Sequence, residues 1–105
     1  MSKSEALRYI ITHTSSAARA MAVMEEAAEL IQAASKLTRA NGEIFNPTSM
    51  ETGDAVDNFV EEVVDLCNAL WAYGLEPDTL ASLAKDENNQ KLERWAERIK
   101  KELEG

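Results

Sequence analysis

The chain has 105 residues, of which 45% are hydrophobic and 29% are charged, so we expect one domain spanning residues 1–105. Acidic residues outnumber basic ones by 19 to 11, and the net charge of −8 argues against general binding to nucleic acid. No apolar run reaches the ~18 residues of a membrane span, and no signal peptide is recognisable. We therefore expect a cytoplasmic protein without membrane contact.

The first half of the chain predicts two helices. Ser2 and the acid three residues later form a capping box for a short helix over 3–11. After the break "HTSS", Ser15 or Ser16 can cap a long second helix that runs to about Arg39. This segment is rich in Ala, Met, Leu, Glu and Gln, which are good helix formers.

The second half predicts a loop followed by further helices. Residues 41–54 contain turn residues and a proline without periodicity, which indicates a long loop between two helices. A third helix begins at Asp54 and ends near Tyr73. Pro77 suits the first turn of a fourth helix, which is expected to continue to Leu103. With no strand-like alternation, the fold class is all-α.

Acidic side chains lie beside the apolar stripes of the second and third helices. At about 100° per residue, Glu62 lies ~40° from Leu66 and leans into the apolar face, with Asp65 at its edge. Glu26 lies at the margin of the apolar stripe of the second helix, with Glu29 ~60° beyond it. The stripe predicted to be buried in the third helix comprises Phe59, Val63, Leu66 and Leu70.

These acids suggest a divalent cation site. If the two helices pack antiparallel, the four carboxylates converge at one level, where either protons or a metal ion must offset their repulsion. The donors are all oxygens, which favours Mg²⁺, with Mn²⁺ as a substitute, over zinc or copper. The Glu-x-x-His pairs of di-iron bundles are missing. For each acid taken alone, a solvated position at the rim of an amphipathic helix stays open.

The segments that carry these acids resemble a known family. "EEAAE" (Glu25–Glu29) and "EEVVD" (Glu61–Asp65) resemble the E-E-x-x-E … E-x-x-D signature of the all-α nucleoside triphosphate pyrophosphohydrolases, the MazG-like proteins. "MAVMEEAAELIQAASKLTR" and "NNQKLERWAERI" are similar to their first motif helix and terminal helix. The resemblance implies a MazG-like helical bundle whose four-helix core is completed by dimerisation, as a homodimer or homotetramer.

The resemblance also implies an activity and its residues. The expected reaction is Mg²⁺-dependent cleavage of a nucleoside triphosphate between the α and β phosphates, giving a monophosphate and pyrophosphate. Glu25 matches a residue that orients or deprotonates the attacking water. The metal-ligand positions are matched by Glu26, Glu29, Glu62 and Asp65.

Other polar side chains are candidates for contacts with substrate. Lys36 lies two turns after Glu29 on nearly the same face, so we expect it to bind the leaving pyrophosphate. Lys91 and Arg94 are further candidates, although ordinary solvated charge on the helix surface is the simpler explanation for each. Asn68 either contacts base or sugar or is simply an exposed polar residue.

Two other functions fit the same pattern. An acidic, methionine-bearing helical surface is also what a non-catalytic interaction module would present. A sensor that binds metal and nucleotide without turnover is the remaining alternative. The 41–54 loop is long for the MazG-like pattern, and it leaves the preferred base and sugar open.

Overall fold

Five helices make up the regular structure of the described part of the chain. The computed structural model describes residues 1–42 and 51–105, and no strand occurs within these two ranges, which confirms the all-α prediction. None of the helices found there is long and apolar enough to cross a membrane. The helices are α1 (Lys3–His13), α2 (Ser16–Ala40), α3 (Thr52–Tyr73), α4 (Pro77–Lys85) and α5 (Lys91–Glu104).

Side-chain caps and a glycine define several helix ends. The Ser2 hydroxyl accepts a hydrogen bond from the Glu5 backbone N–H at 3.1 Å, and the Ser15 hydroxyl accepts one from that of Ala18 at 3.0 Å. Both bonds satisfy an N–H that has no partner within its helix. Gly74 ends α3 at φ 126°, a conformation that side chains disfavour. The predicted starts of α1 and α2 are confirmed.

One arginine joins the end of α1 to the start of α2. The guanidinium of Arg19 donates hydrogen bonds to the backbone oxygens of Ile11 at 3.2 Å and Thr14 at 2.6 Å. The same group reaches the hydroxyl of Thr14 at 3.1 Å. Carbonyl groups left unpaired at a helix end thereby gain a cationic donor, which fixes the turn between the two helices.

The prediction of a single helix from Pro77 to Leu103 is wrong, because α4 and α5 are separate. The side-chain amide of Asn89 donates to the backbone oxygens of Leu83 and Ala84 at 3.3 and 3.2 Å, which satisfies the last turn of α4. Its oxygen accepts the N–H of the residue that begins α5. These local bonds compete with a continuous helix, as Asn side chains commonly do.

Helix α3 begins two residues before the predicted start at Asp54. Its first residue is Thr52, so the last residues of the predicted 41–54 loop belong to the helix. Residues 43–50 of that loop lie outside the described residues. The Thr52 hydroxyl donates to the Ala40 carbonyl at 3.2 Å, which brings the start of α3 to the end of α2.

The chain divides into two compact units, Met1–Leu75 with α1 to α3 and Glu76–Gly105 with α4 and α5. In the first unit α2 packs along α3, and α1 contacts α3. Since the end of α2 adjoins the start of α3, the two long helices run antiparallel. Glu26 of α2 thereby comes close to Glu62 of α3.

Little of the described chain is fully buried. Ala33 and Ala55, 1% and 0% exposed, are its only buried residues. The predicted stripe of α3 is half-buried rather than buried, and Ile31 of α2 is 71% exposed. Small side chains permit close approach of two helices but remove little apolar area from water. The first unit thus has a thin core and apolar side chains left in solvent.

Candidate functional site

Three carboxylates meet where α2 and α3 pack. One oxygen each from Glu26, Glu62 and Asp65 lies within 4.8 Å of the other two. Glu62 and Asp65 are three apart on α3, so they are neighbours on one helix surface. Glu26 reaches them from α2. The two buried alanines, Ala33 and Ala55, each lie seven residues from an acid of this group, about 10.5 Å along the helix.

Two oxygens of this acidic cluster (Glu26, Glu62 and Asp65) are shielded from solvent. Glu26 and Glu62 are half-buried, and the Oε2 atom of each is inaccessible and has no hydrogen-bond partner. Asp65 is exposed. A buried, unpartnered carboxylate oxygen is unfavourable, because water no longer solvates its charge and nothing replaces that water. The cluster is therefore incomplete without a proton or a cation.

The electrostatics of the site point the same way. Burial raises the pKa of Glu26 above its ordinary value, and the charges of Glu29, Asp65 and Glu25 raise it further. Burial is also the largest cause of the raised pKa of Glu62, followed by the charge of Glu29. Both effects disfavour the ionised form, and either protonation or a bound cation relieves them.

Glu29 lies outside the group of three but acts on it. Its side chain is exposed on α2, and a hydrogen bond between Glu29 and protonated Glu62 contributes to the raised pKa of Glu62. Such a bond exists only while Glu62 carries the proton, so ionised Glu62 keeps its unpartnered oxygen. Of the four metal-ligand candidates, the structure brings three together and leaves Glu29 beside them.

The cluster fits a hard divalent cation. Oxygens around one Mg²⁺ at about 2.1 Å stand roughly 3 Å apart when adjacent and 4.2 Å apart when opposite. The three oxygens lie within 4.8 Å of one another, so they must move closer together to share one ion. Two of the donors carry oxygens without any partner, and all three are carboxylates, the donor type that Mg²⁺ and Mn²⁺ prefer.

The remaining candidates lie on exposed helix surfaces. Glu25 and Lys36 are exposed on α2, and Asn68 is exposed on α3 one turn after Asp65. Lys91 and Arg94 are exposed on α5 in the second unit, where they line an open depression of charged side chains. The structure thus gives these five residues no contact that distinguishes a substrate role from ordinary solvated charge.

No second cluster of this kind occurs in residues 1–42 and 51–105: the three carboxylates are the one close group of acids, histidine or cysteine there. His13 instead stacks on Tyr9 with ring centroids 3.9 Å apart. Cys67 is a half-buried free thiol. What sequence reasoning missed is the pair of unpartnered oxygens, since helix phase indicates a direction but not a hydrogen-bond partner.

Comparison of the chain with known protein families, with curated proteins and with solved structures gives no match.

Proposed function

We propose that the chain is a Mg²⁺-dependent nucleotide pyrophosphohydrolase that cleaves nucleoside triphosphates or their deoxy forms between the α and β phosphates. The observation that supports this best is the acidic cluster with its two unpartnered oxygens. Three carboxylates cannot hold a polyphosphate themselves, because like charges repel. A cation between them reverses the sign of the site. A cytoplasmic location, where triphosphates and Mg²⁺ are both available, fits this function.

Each residue has a distinct task in the proposed reaction. Glu26, Glu62 and Asp65 hold Mg²⁺, with Mn²⁺ as a substitute, and Glu29 joins them when Glu62 is ionised. When bound, the ion supplies positive charge that offsets the charge developing on the phosphates. Glu25 orients a water molecule and accepts its proton. That water attacks phosphorus, and the P–O–P link between the α and β positions breaks.

The products are a nucleoside monophosphate and pyrophosphate. Lys36 pairs with the oxygens of the leaving pyrophosphate, since a cation favours departure of a negative group. Lys91 and Arg94 add to this binding, and Asn68 contacts the nucleoside. Among these residues Lys36 has the strongest support, because it shares a helix and nearly a face with Glu29.

The site is completed by association of at least two chains, as a homodimer or homotetramer in which a second α2–α3 pair completes a four-helix core. Support comes from the thin core and from apolar side chains in solvent on both long helices. Burying such side chains removes apolar area from water at ~25 cal/mol per Å². The side chains in question include Met21, Met24 and Ile31 of α2 and Val60 and Val64 of α3.

The test is hydrolysis of a panel of nucleoside and deoxynucleoside triphosphates with Mg²⁺, followed as release of monophosphate and pyrophosphate. We expect turnover by the wild type and a loss of about 10²-fold or more in Glu62→Gln. Glu61→Gln is the matched control, because Glu61 is the exposed acid next to it. No turnover of any nucleotide, or equal activity of Glu62→Gln and Glu61→Gln, would count against the proposal.

An interaction module without catalysis is the second candidate, and the exposed apolar side chains of α2 and α3 favour it. Calorimetric titration with MgCl₂ or MnCl₂ separates the two functions. The enzyme has a saturable cation site that Glu26→Gln weakens, and a module has none. A sensor would bind both the ion and a non-hydrolysable triphosphate analogue but leave the natural nucleotide intact.

A further inference from the structure

Helix α5 has the residue pattern of a short coiled coil. Its apolar side chains Leu92, Ala96, Ile99 and Leu103 are spaced four, three and four residues apart, the alternation that forms one continuous seam. These four residues, the α5 seam, are all exposed, with Leu92 at 70% and Leu103 at 84%. The opposite face of the helix is charged.

Apolar side chains in a continuous exposed row are unfavourable in water, and burial against another surface would stabilise them. Helix α5 has 14 residues, and isolated helices of this length are marginal in water. Every residue of α5 is exposed, so packing within the described chain supplies little of its stability. Trp95, 57% exposed, stands beside the seam and adds a large apolar surface. A partner helix would remove this area from water.

We propose that α5 binds the α5 helix of a second copy of this chain, antiparallel, through the α5 seam. In the antiparallel arrangement Leu92 lies level with the partner's Leu103, and Ala96 with the partner's Ile99. Each layer therefore pairs apolar side chains, and the smallest one, alanine, meets the branched isoleucine. The two-fold axis passes between residues 97 and 98, so all four seam layers are used.

Charges beside the seam select this orientation. Glu93 and Lys100 flank the seam on the same side, one heptad apart, and no other charged residue of α5 occupies that flank next to the seam. In an antiparallel pair, equivalent flanks meet, so Glu93 faces the partner's Lys100 and Lys100 faces the partner's Glu93. A parallel pair would instead set Lys100 against Trp95. The antiparallel pair gains two ion pairs by symmetry.

A second copy fits α5 better than an anionic membrane surface does. Helices that lie on such membranes combine an apolar face with a predominantly basic polar face. The polar residues of α5 are five basic and four acidic, and an acid borders the seam on each side, Glu93 and Glu102. Acidic flanks would meet anionic headgroups at close range, whereas in the antiparallel pair Glu93 meets the partner's Lys100.

The α5 contact is small, so we expect it to give only weak association when no other contact joins the chains. A 14-residue helix is about 21 Å long and roughly 10 Å wide, so a pair buries well below the ~1,200 Å² typical of stable interfaces. The α5 seam consists of other residues than the α2–α3 face. If the dimer under the proposed function forms, on which this step rests, α5 pairing adds a second contact between chains.

The test is sedimentation equilibrium of the full chain, without metal or nucleotide, so that catalysis plays no part in the result. Glu93→Lys sets like charges opposite each other twice, as does Lys100→Glu, and each is expected to weaken α5 association by roughly tenfold or more. The double variant Glu93→Lys/Lys100→Glu restores opposite charges and is expected to recover the wild-type mass. Glu97→Lys, with the same charge change away from the seam, is the control.

Ile99→Asp provides an independent arm, because it places a charge in the seam and is expected to abolish the α5 contact. Helix content measured by circular dichroism checks that the chain still folds. Failure of the double variant to recover association, or equal weakening by Glu97→Lys, would overturn the pairing. An Ile99→Asp chain with unchanged mass would overturn the pairing too, even if its melting temperature falls. Binding of the wild type to anionic phosphatidylserine vesicles in that case would assign the seam to a membrane surface instead.

Discussion

Replacing Glu62 by glutamine tests the acidic cluster most directly. Glutamine keeps the size of the side chain but removes its charge, and it leaves one carboxylate donor fewer among the three that meet within 4.8 Å. Glu62 also holds one of the two unpartnered oxygens. If the cluster binds a divalent cation, Glu62→Gln must weaken that binding strongly.

The size of the effect follows from ligand number. Removing a side chain that merely supports a metal ligand costs ~10–100-fold in affinity, and removing one of three ligands costs at least as much. A cation at a hundred times its Kd stabilises the wild type by about 2.7 kcal/mol. With affinity 10–100-fold lower, the same concentration stabilises the variant by about 1.4 to 0.4 kcal/mol. At about 4 °C per kcal/mol, the melting temperature rises by ~11 °C in the wild type and by ~2–6 °C in the variant.

The assay is thermal unfolding followed by circular dichroism, with and without MgCl₂ or MnCl₂, supported by calorimetric titration of the ion. Glu61→Gln serves as the control, because the exposed Glu61 lies outside the cluster. We expect its response to the ion to equal that of the wild type. A wild type whose melting temperature ignores saturating cation, or a Glu62→Gln chain that responds fully, would refute the reasoning.

Three further outcomes are expected. The raised pKa values of Glu26 and Glu62 mean that the folded chain binds more protons than the unfolded chain between the ordinary and the raised values. The extra proton binding stabilises the metal-free folded protein at low pH, and this stabilisation is lost as the pH rises from the ordinary to the raised pKa values. The melting temperature of Glu62→Gln relative to wild type should accordingly increase from about pH 4 to pH 8, and a constant difference would contradict it. Ala55→Leu overfills a site that is 0% exposed and should lower the free energy of unfolding in urea by about 1–3 kcal/mol, whereas the exposed Ala28→Leu should not. Arg19→Ala removes donors to the end of α1 and should cost about 1 kcal/mol with some loss of helical circular dichroism, an effect that Arg8→Ala should not reproduce.

Local chemistry explains which parts of the fold were predictable. Ser2 and Ser15 cap their helices as expected, because an N-cap depends on residues within one turn of it. The break between α4 and α5 was missed for the converse reason. Asn89 reaches back five and six residues to carbonyls of α4, and hydrophobic periodicity carries no trace of such bonds.

The candidate site was predictable only in part, because helix phase fixes directions within one helix and not the register between two. Phase indicated that Glu26 and Glu62 lie near the apolar faces, and both are half-buried. It put Asp65 at the edge of its stripe and Glu29 ~60° beyond Glu26, without showing which of the two joins the group. The antiparallel packing of α2 on α3 distinguishes them: Asp65 joins the close group, and Glu29 stays beside it.

The position of the acidic cluster links cation binding to the packing of the helices. Its carboxylates lie on both α2 and α3, so their mutual repulsion acts to separate these helices. Within the described ranges, the only fully buried side chains that oppose this separation are those of Ala33 and Ala55. A cation bound by both helices reverses the sign of the carboxylates' contribution. When the ligands of an ion come from two helices, the free energy of binding the ion also stabilises the packing of those helices. The ion should therefore favour α2–α3 packing. The same packing positions the exposed stripes of α2 and α3, so we expect the divalent ion to strengthen association of chains through that face as well.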